Sequence, residues 1–462
     1  MIIGVQRTVR GGPGSQSQRP NHLHHEPRSP TLWVLVAVLM LTLPAAAPAQ
    51  DYTWTTNNGT IIITGYTGPG GNVTIPDTIT GLPVTSIGDK AFAYITNLTG
   101  VTIPNSITGI GAVAFWGCTN LMSVSIPNSV TNITFGAFMD CTSLASVNIP
   151  TSVTTIDEGT FVNCTSLGDV IIPTSVTSIG EIAFGLCTSL PAITIPDSVT
   201  NIGLDAFYSC TSLRSVVIPD SVINLGGEAF GSCTNLTSFQ IGSGVTTIGP
   251  YEFYGCLNLT AITVDALNPA YSSADGVVFD KSQSTLVLFP PGRAGAYTIA
   301  DGVTGISGYA FTGCASLTEV RIPVSVTTIG SYAFSPCTNL TGVYFTGGAP
   351  SIGLGVFDGD AGATVYYLPG TTGWGPTFGG LPALLWNPQV RTGDPSFGVG
   401  TNGFGFTIIG TSNLVIVIEA CEKLSNPAWY PLATNILTGG ASYFSDPRWT
   451  NSRSRFYRLR SP

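Results

Sequence analysis

The chain has 462 residues and 10 cysteines, only 9% of its residues are charged, and its formal net charge is −9. Ordinary soluble domains carry about 25% charged residues, so the polar surface here has to be built from hydroxyls and amides. With only 16 Lys and Arg in all, the chain lacks the cationic surface that phosphate contacts demand, which argues against a nucleic-acid partner.

Arg7, Arg10, Arg19 and Arg28 lead into the apolar run TLWVLVAVLMLTL at 31–43, and the small residues Ala47-Pro48-Ala49 follow. That order predicts a secretory signal peptide over 1–49, its apolar part too short for a comfortable membrane span. If it stayed uncleaved, it would be the chain's only membrane contact. His22, His24 and His25 are the three histidines, and all precede the expected cleavage site. Beyond it no imidazole remains to act as a general base, to activate a nucleophile or to ligate a metal. No cofactor, metal or catalytic residue is therefore expected. Without residues 1–49 the balance is 12 basic against 24 acidic residues.

Residues 50–72 are expected to form an N-terminal cap. Asn57-Asn58-Gly59 between alternating runs marks a hairpin, which would cover the open edge of whatever follows.

From 73 to 362 the sequence repeats. Phe92, Phe115, Phe138, Phe161, Phe184, Phe207, Phe230 and Phe253 are spaced by 23 residues, and the step resumes through Phe311, Phe334 and Phe357. Cysteine keeps the same step at Cys118, Cys141, Cys164, Cys187, Cys210, Cys233 and Cys256, then Cys314 and Cys337, with Ile95 in its place in the first copy. A period of this length signals stacked units, each unable to bury its apolar face alone. In LASVNIP (144–150), Val147 and Ile149 alternate with Ser146 and Asn148, the pattern of a half-buried strand. Pro150 ends it, and SVTTI (152–156) is a second short extended run. Gly180 and Gly203, at the next place in their copies, read as sharp turns. Ala-Phe then closes the coil with Phe inside.

The cysteines admit two readings. Neighbouring copies would lie about one strand spacing apart, within disulfide reach, and an exported chain permits oxidation. In-register side chains point the same way, however, and Cys packs well as a small hydrophobe. Ile95 in the first copy also favours a reduced, buried ladder. A regular row is not the paired cluster of a zinc site.

The pieces CTSL, IPxSV, IG and AF, in that order, make the unit resemble the repeat of the BspA-like leucine-rich-repeat surface proteins. The resemblance implies a mainly β leucine-rich-repeat solenoid, an arc of stacked coils, displayed at the cell exterior. It further implies adhesion or binding of an extracellular protein or glycan, and it carries over no catalytic residue. The alternative fold is a right-handed parallel β-helix, told apart by a third strand where the repeat would place a helical Ala-Phe turn. The alternative functions are a structural envelope spacer without a specific ligand and a polysaccharide-active β-helix enzyme.

The period breaks between Cys256 and Cys314. A variant coil at 257–303 contains GVVFD and STLVLFP around KSQ, which reads as a hairpin. Insertions on solenoids often lie at the working face, and Tyr271, Lys281 and Arg293 bring there side chains that the repeats lack. Along the first strand of each coil most outward positions are small and polar, Ile171 and Val217 apart, until Glu319, Arg321 and Tyr344. Interface hot spots favour Tyr and Arg, so these six residues are the expected ligand contacts.

Residues 363–388 read as a closing cap and linker. In 389–462, FGFTIIG, NLVIVIEAC, AWYPLAT, ASYFSDP and RFYRLR alternate with turn residues and predict a small β-sandwich. This ending resembles the C-terminal β-modules of secreted bacterial proteins. Arg448, Arg453, Arg455, Arg458 and Arg460 cluster there, and could either solubilise a strand edge or attach the chain to an acidic surface polymer.

Overall fold

The computed structural model describes residues 49–451 and 454–460. The expected signal peptide over 1–49, with all three histidines, lies outside them but for Ala49.

A typical coil runs through two short strands and one corner, although the segment 191–196 lacks its first strand. The first strands stack in parallel register, as Ser146–Asn148 does on Asp169–Ile171 and Ser215–Val217 on Ser238–Ile241. The second strands form their own parallel sheet through Thr155–Ile156, Ser178–Ile179, Asn201–Ile202, Asn224–Leu225 and Thr247–Ile248. Alternation sends Val147, Val170, Val216 and Phe239 inward, and the Ile156 to Ile248 column closes the core from the other sheet.

The Ala-Phe corner is neither the helical turn nor the third strand expected to separate the two folds; no α-helix occurs among the described residues. The residues two before and two after the corner Phe have positive φ in every copy but that of Phe334, where Pro336 follows; examples are Ile182 and Leu186 around Phe184, and Asp205 and Ser209 around Phe207. Left-handed backbone at non-glycine residues costs about 1–2 kcal/mol each, and hydrogen bonds between coils hold it. The amides of Ile182, Phe184 and Leu186 donate to the carbonyls of Leu204, Ala206 and Tyr208 at 2.9, 2.8 and 2.7 Å. A third ladder therefore joins the coils without being a strand.

The glycine after the second strand has a different role from the one expected. Gly180 and Gly203 are not left-handed. A Cβ on Gly180 would lie 2.7 Å from the Glu158 amide nitrogen, and one on Gly203 2.7 Å from that of Glu181. The absence of a side chain lets each coil sit close on the one before.

Inside, Phe115, Phe138, Phe161, Phe184 and Phe207 stack face to face with centroids 5.2–5.6 Å apart. Tyr66 of the cap hairpin, Tyr52–Asn57 with Thr60–Tyr66, extends this row by stacking on Phe92. Phe239 turns edge-on between Phe230 and Phe253 and ends the regular row. A second core cluster resumes it through Phe289, Phe311, Phe334 and Phe357.

The ten cysteines are unpaired and buried. Their ladder is more than small-hydrophobe packing. Each of the nine solenoid thiols donates to the carbonyl of a Phe in the preceding coil, for example Cys118 to Phe92 at 3.0 Å, Cys141 to Phe115 and Cys164 to Phe138 at 3.2 Å, Cys187 to Phe161 at 3.3 Å. Burial pushes the Cys118 and Cys187 thiols up to about 12 and that of Cys164 well above the ordinary range, so the row is held in the protonated, donating form.

The C-terminal segment forms two antiparallel sheets. Gly403–Ile409 pairs with Ala441–Asp446, and Val415–Cys421 pairs with both Tyr430–Ile436 and Phe456–Arg460. Phe406, Ile408, Ile416, Ile418 and Phe444 fill the space between them, together with Tyr344 and Tyr366 from the solenoid.

Candidate functional site

The strand face of the earlier coils presents Ser123, Ser125, Ser146, Asn148, Asp169, Ser215, Ser238 and Gln240 to solvent. Parallel register aligns them in columns, and within those columns stand two apolar residues, Ile171 at 63% and Val217 at 57% exposed. Beside Val217 lies a shallow depression of about 440 Å³ bordered by Thr194, Asp197, Asp220, Gln240 and Asp265. Asp220 accepts a hydrogen bond from the Ser243 amide, which holds its carboxyl below the usual range.

The later coils depart from expectation. Glu319 and Tyr344 lie on neighbouring strands, Leu317–Ile322 and Gly342–Phe345, where Arg321 is in register with Tyr344. The expected outward exposure is overturned for two of the three: Glu319 and Tyr344 are each only 8% exposed. The physical reason is the C-terminal module, which comes down on this face. Tyr344 stacks on Tyr366 with centroids 4.9 Å apart and joins the module's core. Arg321 lies over the Tyr344 ring at 5.0 Å and pairs with Glu319 at 3.4 Å. From the module, Arg460 reaches Glu319 at 3.8 Å and Glu419 at 2.9 Å, while Arg458 pairs with Glu419 at 2.6 Å. Burial pushes the Glu319 carboxyl up, against the opposing pull of Arg321 and Arg460. At Glu419 burial also works upward, but hydrogen bonds and charge from Arg458 and Arg460 outweigh it and hold the carboxyl low. Arg455 forms a buried pair with Asp446 at 2.7 Å. Arg455, Arg458 and Arg460 thus serve internal ion pairs.

The variant coil is an antiparallel meander of Tyr271–Ala274, Val277–Asp280 and Thr285–Leu288. It does not project as a free hairpin. Val277, Val278 and Phe279 are buried, and Thr285–Leu288 pairs in parallel with Gly305–Ile306, standing in for a second strand of the stack. Arg293 pairs with Asp275 and lies 5.4 Å from the centre of the Tyr297 ring. The Lys281 ammonium donates to the Ala266 carbonyl at 3.0 Å, and the Tyr271 hydroxyl to that of Thr246 at 3.3 Å. Of these three residues, Tyr271 alone borders the cleft that the meander leaves between the Tyr251 and Tyr309 corners. Sequence reasoning passed over Glu252 in that cleft. Its signal was available: Glu stands where most copies carry the Ala of Ala-Phe, and where Thr160 and Val356 stand in two others.

Residues 71–190, 156–274 and 295–371 match the family described as BspA type leucine rich repeat region, in 6 copies. Among solved structures, a leucine rich cell surface protein from Faecalibacterium prausnitzii is 32% identical, with a TM-score of 0.50, over 70% of this chain and 82% of its own. A leucine rich repeat protein from T. pallidum is 32% identical over 46% of this chain and 91% of its own, with a TM-score of 0.35. One from Bacteroides ovatus is 24% identical over 69% and 94%, with a TM-score of 0.46. No curated protein matches the chain.

Proposed function

The chain belongs to the BspA-type leucine-rich-repeat family, and from that premise we propose that it is an exported, non-catalytic binding protein of the cell surface. The strand face of its earlier coils would hold an extracellular protein or glycan, in an adhesive role. The observation that carries this reading is the exposure of Ile171 and Val217 among hydroxyls and amides, with Asp197 and Asp220 bordering the depression beside Val217. An apolar centre inside a polar rim is the anatomy of a protein interface, and a row of hydroxyls and amides suits glycan hydrogen bonding. The similarity to a cell surface protein supports the location. Placing the contact here moves it away from Arg321 and Tyr344, over which the C-terminal module is packed.

The test is a screen of the chain against immobilised matrix proteins and glycans, repeated with the double variant Ile171→Glu, Val217→Glu. Saturable binding that weakens at least tenfold in the variant, with an unchanged far-UV spectrum, is the expected result. Unchanged binding in the variant refutes the placement. Absence of saturable binding to every surface favours the envelope spacer.

A further inference from the structure

The C-terminal module leaves a gap where it comes down on the later coils. A cleft of about 460 Å³ stays open at the seam, with Arg321, Tyr344 and Leu368 on the solenoid side, Trp386 from the segment between the two, and Arg458 and Arg460 from the strand Phe456–Arg460. Three of the chain's 16 basic residues therefore line one cleft of a molecule whose formal net charge is −9. No Asp or Glu among the described residues lines it.

The arginines can be reached from solvent. The side chains of Arg321, Arg458 and Arg460 are 42, 45 and 35% exposed, against 10 and 8% for their partners Glu319 and Glu419. The two glutamates thus fasten the guanidiniums without entering the cleft wall. Arg458 shows how. It meets Glu419 through Nε and one Nη, at 2.7 and 2.6 Å. A guanidinium carries five N–H donors in a planar fork, so the pair orients the group without using its second Nη. Arg321 is further held against the Tyr344 ring at 5.0 Å, and Arg458 against that of Trp429 at 4.5 Å. Groups fixed before a ligand arrives lose little freedom when it binds. Beside the arginines the wall is mostly apolar: Trp386 stands perpendicular to Tyr344 with centroids 6.5 Å apart, and Leu368 is 37% exposed.

We infer that this cleft binds an acidic sugar residue, whose anionic group meets Arg321, Arg458 and Arg460 while its ring lies along Trp386 and Leu368. Guanidinium forks match the oxygens of an oxyanion and form the stronger, charge-assisted hydrogen bonds with it. An inorganic anion would take those bonds but leave the apolar wall uncovered. An acidic amino-acid side chain brings only one or two methylenes to that wall. A sugar ring brings a broad C–H face, and its hydroxyls suit the exposed Thr346, which also lines the cleft. The anion is presented alike by the carboxylate of a uronic acid and by a sulfate ester. This binding goes beyond the strand-face reading and does not depend on it, because the cleft is built from the later coils and the module.

The experiment is calorimetric titration of the full chain with glucuronate and with glucose 6-sulfate, with glucose as the neutral control and Nα-acetyl-glutamate methylamide as the peptide control. Saturable binding of at least one acidic sugar and none of glucose is expected, and the acidic sugar that binds more tightly identifies the anion. Arg321→Gln removes one guanidinium. Leu368→Asp sets a negative charge on the cleft wall and leaves every ion pair of the seam in place, so its fold is expected to survive. Both should weaken the acidic sugar at least tenfold. Failure of both acidic sugars to bind the wild-type chain, equal binding of glucose, tighter binding of the glutamate derivative, or undiminished binding in both variants overturns the inference.

Discussion

Truncating one ring of the phenylalanine row tests whether the stack is governed by nearest neighbours. Phe161 is 1% exposed and lies 5.6 Å from Phe138 and 5.4 Å from Phe184, centroid to centroid, nearly parallel to both. Phe161→Ala is expected to cost about 3–5 kcal/mol, the range for a buried Phe that leaves a cavity. Each ring contact accounts for about 0.5–1.5 kcal/mol of that. In a stack whose coils touch only their neighbours, the double variant Phe161→Ala, Phe184→Ala loses their shared contact once. Its cost should fall short of the sum by about 1 kcal/mol. Phe334 belongs to the second core cluster, so Phe161→Ala with Phe334→Ala should add within about 0.5 kcal/mol. Urea unfolding of the wild type, the singles and both doubles, followed by circular dichroism, measures all of these terms. A single-variant cost below about 1.5 kcal/mol, or equal coupling in the near and far pairs, refutes the reasoning.

Thiol titration should find 10 reactive cysteines in denaturant and almost none in the folded protein, because burial keeps the ladder protonated and inaccessible; a low denatured count would show oxidation. Asp360 is 2% exposed and accepts the Cys337 amide with one oxygen, and burial, with Asp358 nearby, pushes it up to about 7. Its folded pKa thus exceeds the unfolded value near 4, so its stabilisation is complete below about pH 4 and fades as pH rises through about 7. The urea midpoint should fall between pH 5 and pH 8, and Asp360→Asn should flatten that fall. Glu419→Gln strips the clasp of Arg458 and Arg460 and is expected to cost about 1–3 kcal/mol, read as faster proteolysis of the C-terminal module and a red shift of Trp386 emission.

What could be read from the sequence is what the chain repeats. The strand at Ser146–Asn148, the Ile156 column and the Phe row follow from local alternation confirmed copy after copy, and the cap hairpin follows from Asn58-Gly59, both of which have positive φ. The corner could not be read in the same way. Its left-handed positions hold glycine in some copies, as at Gly136 and Gly159, but Ile182, Leu186, Asp205 and Ser209 in others, because the constraint comes from bonds their amides donate to carbonyls of the adjacent coil rather than from the side chains. The thiol ladder was legible as burial but not as hydrogen bonding, since a small hydrophobe and a donor occupy the same place until the Phe carbonyl is positioned above it. Tyr344 and Glu319 looked like an open face because their strand alternates like every other. What covers them is the C-terminal module, through Arg460 on Glu319 and the module's core around Tyr344, which no period announces. Glu252 is the opposite case. In a chain where each position is written many times over, a charged residue at a core alanine position is a local anomaly, and the place where it occurs is the place where the next corner is missing. A repeat sequence therefore encodes its architecture in what it conserves from copy to copy, and its individual chemistry in the few positions where a copy departs from the rest.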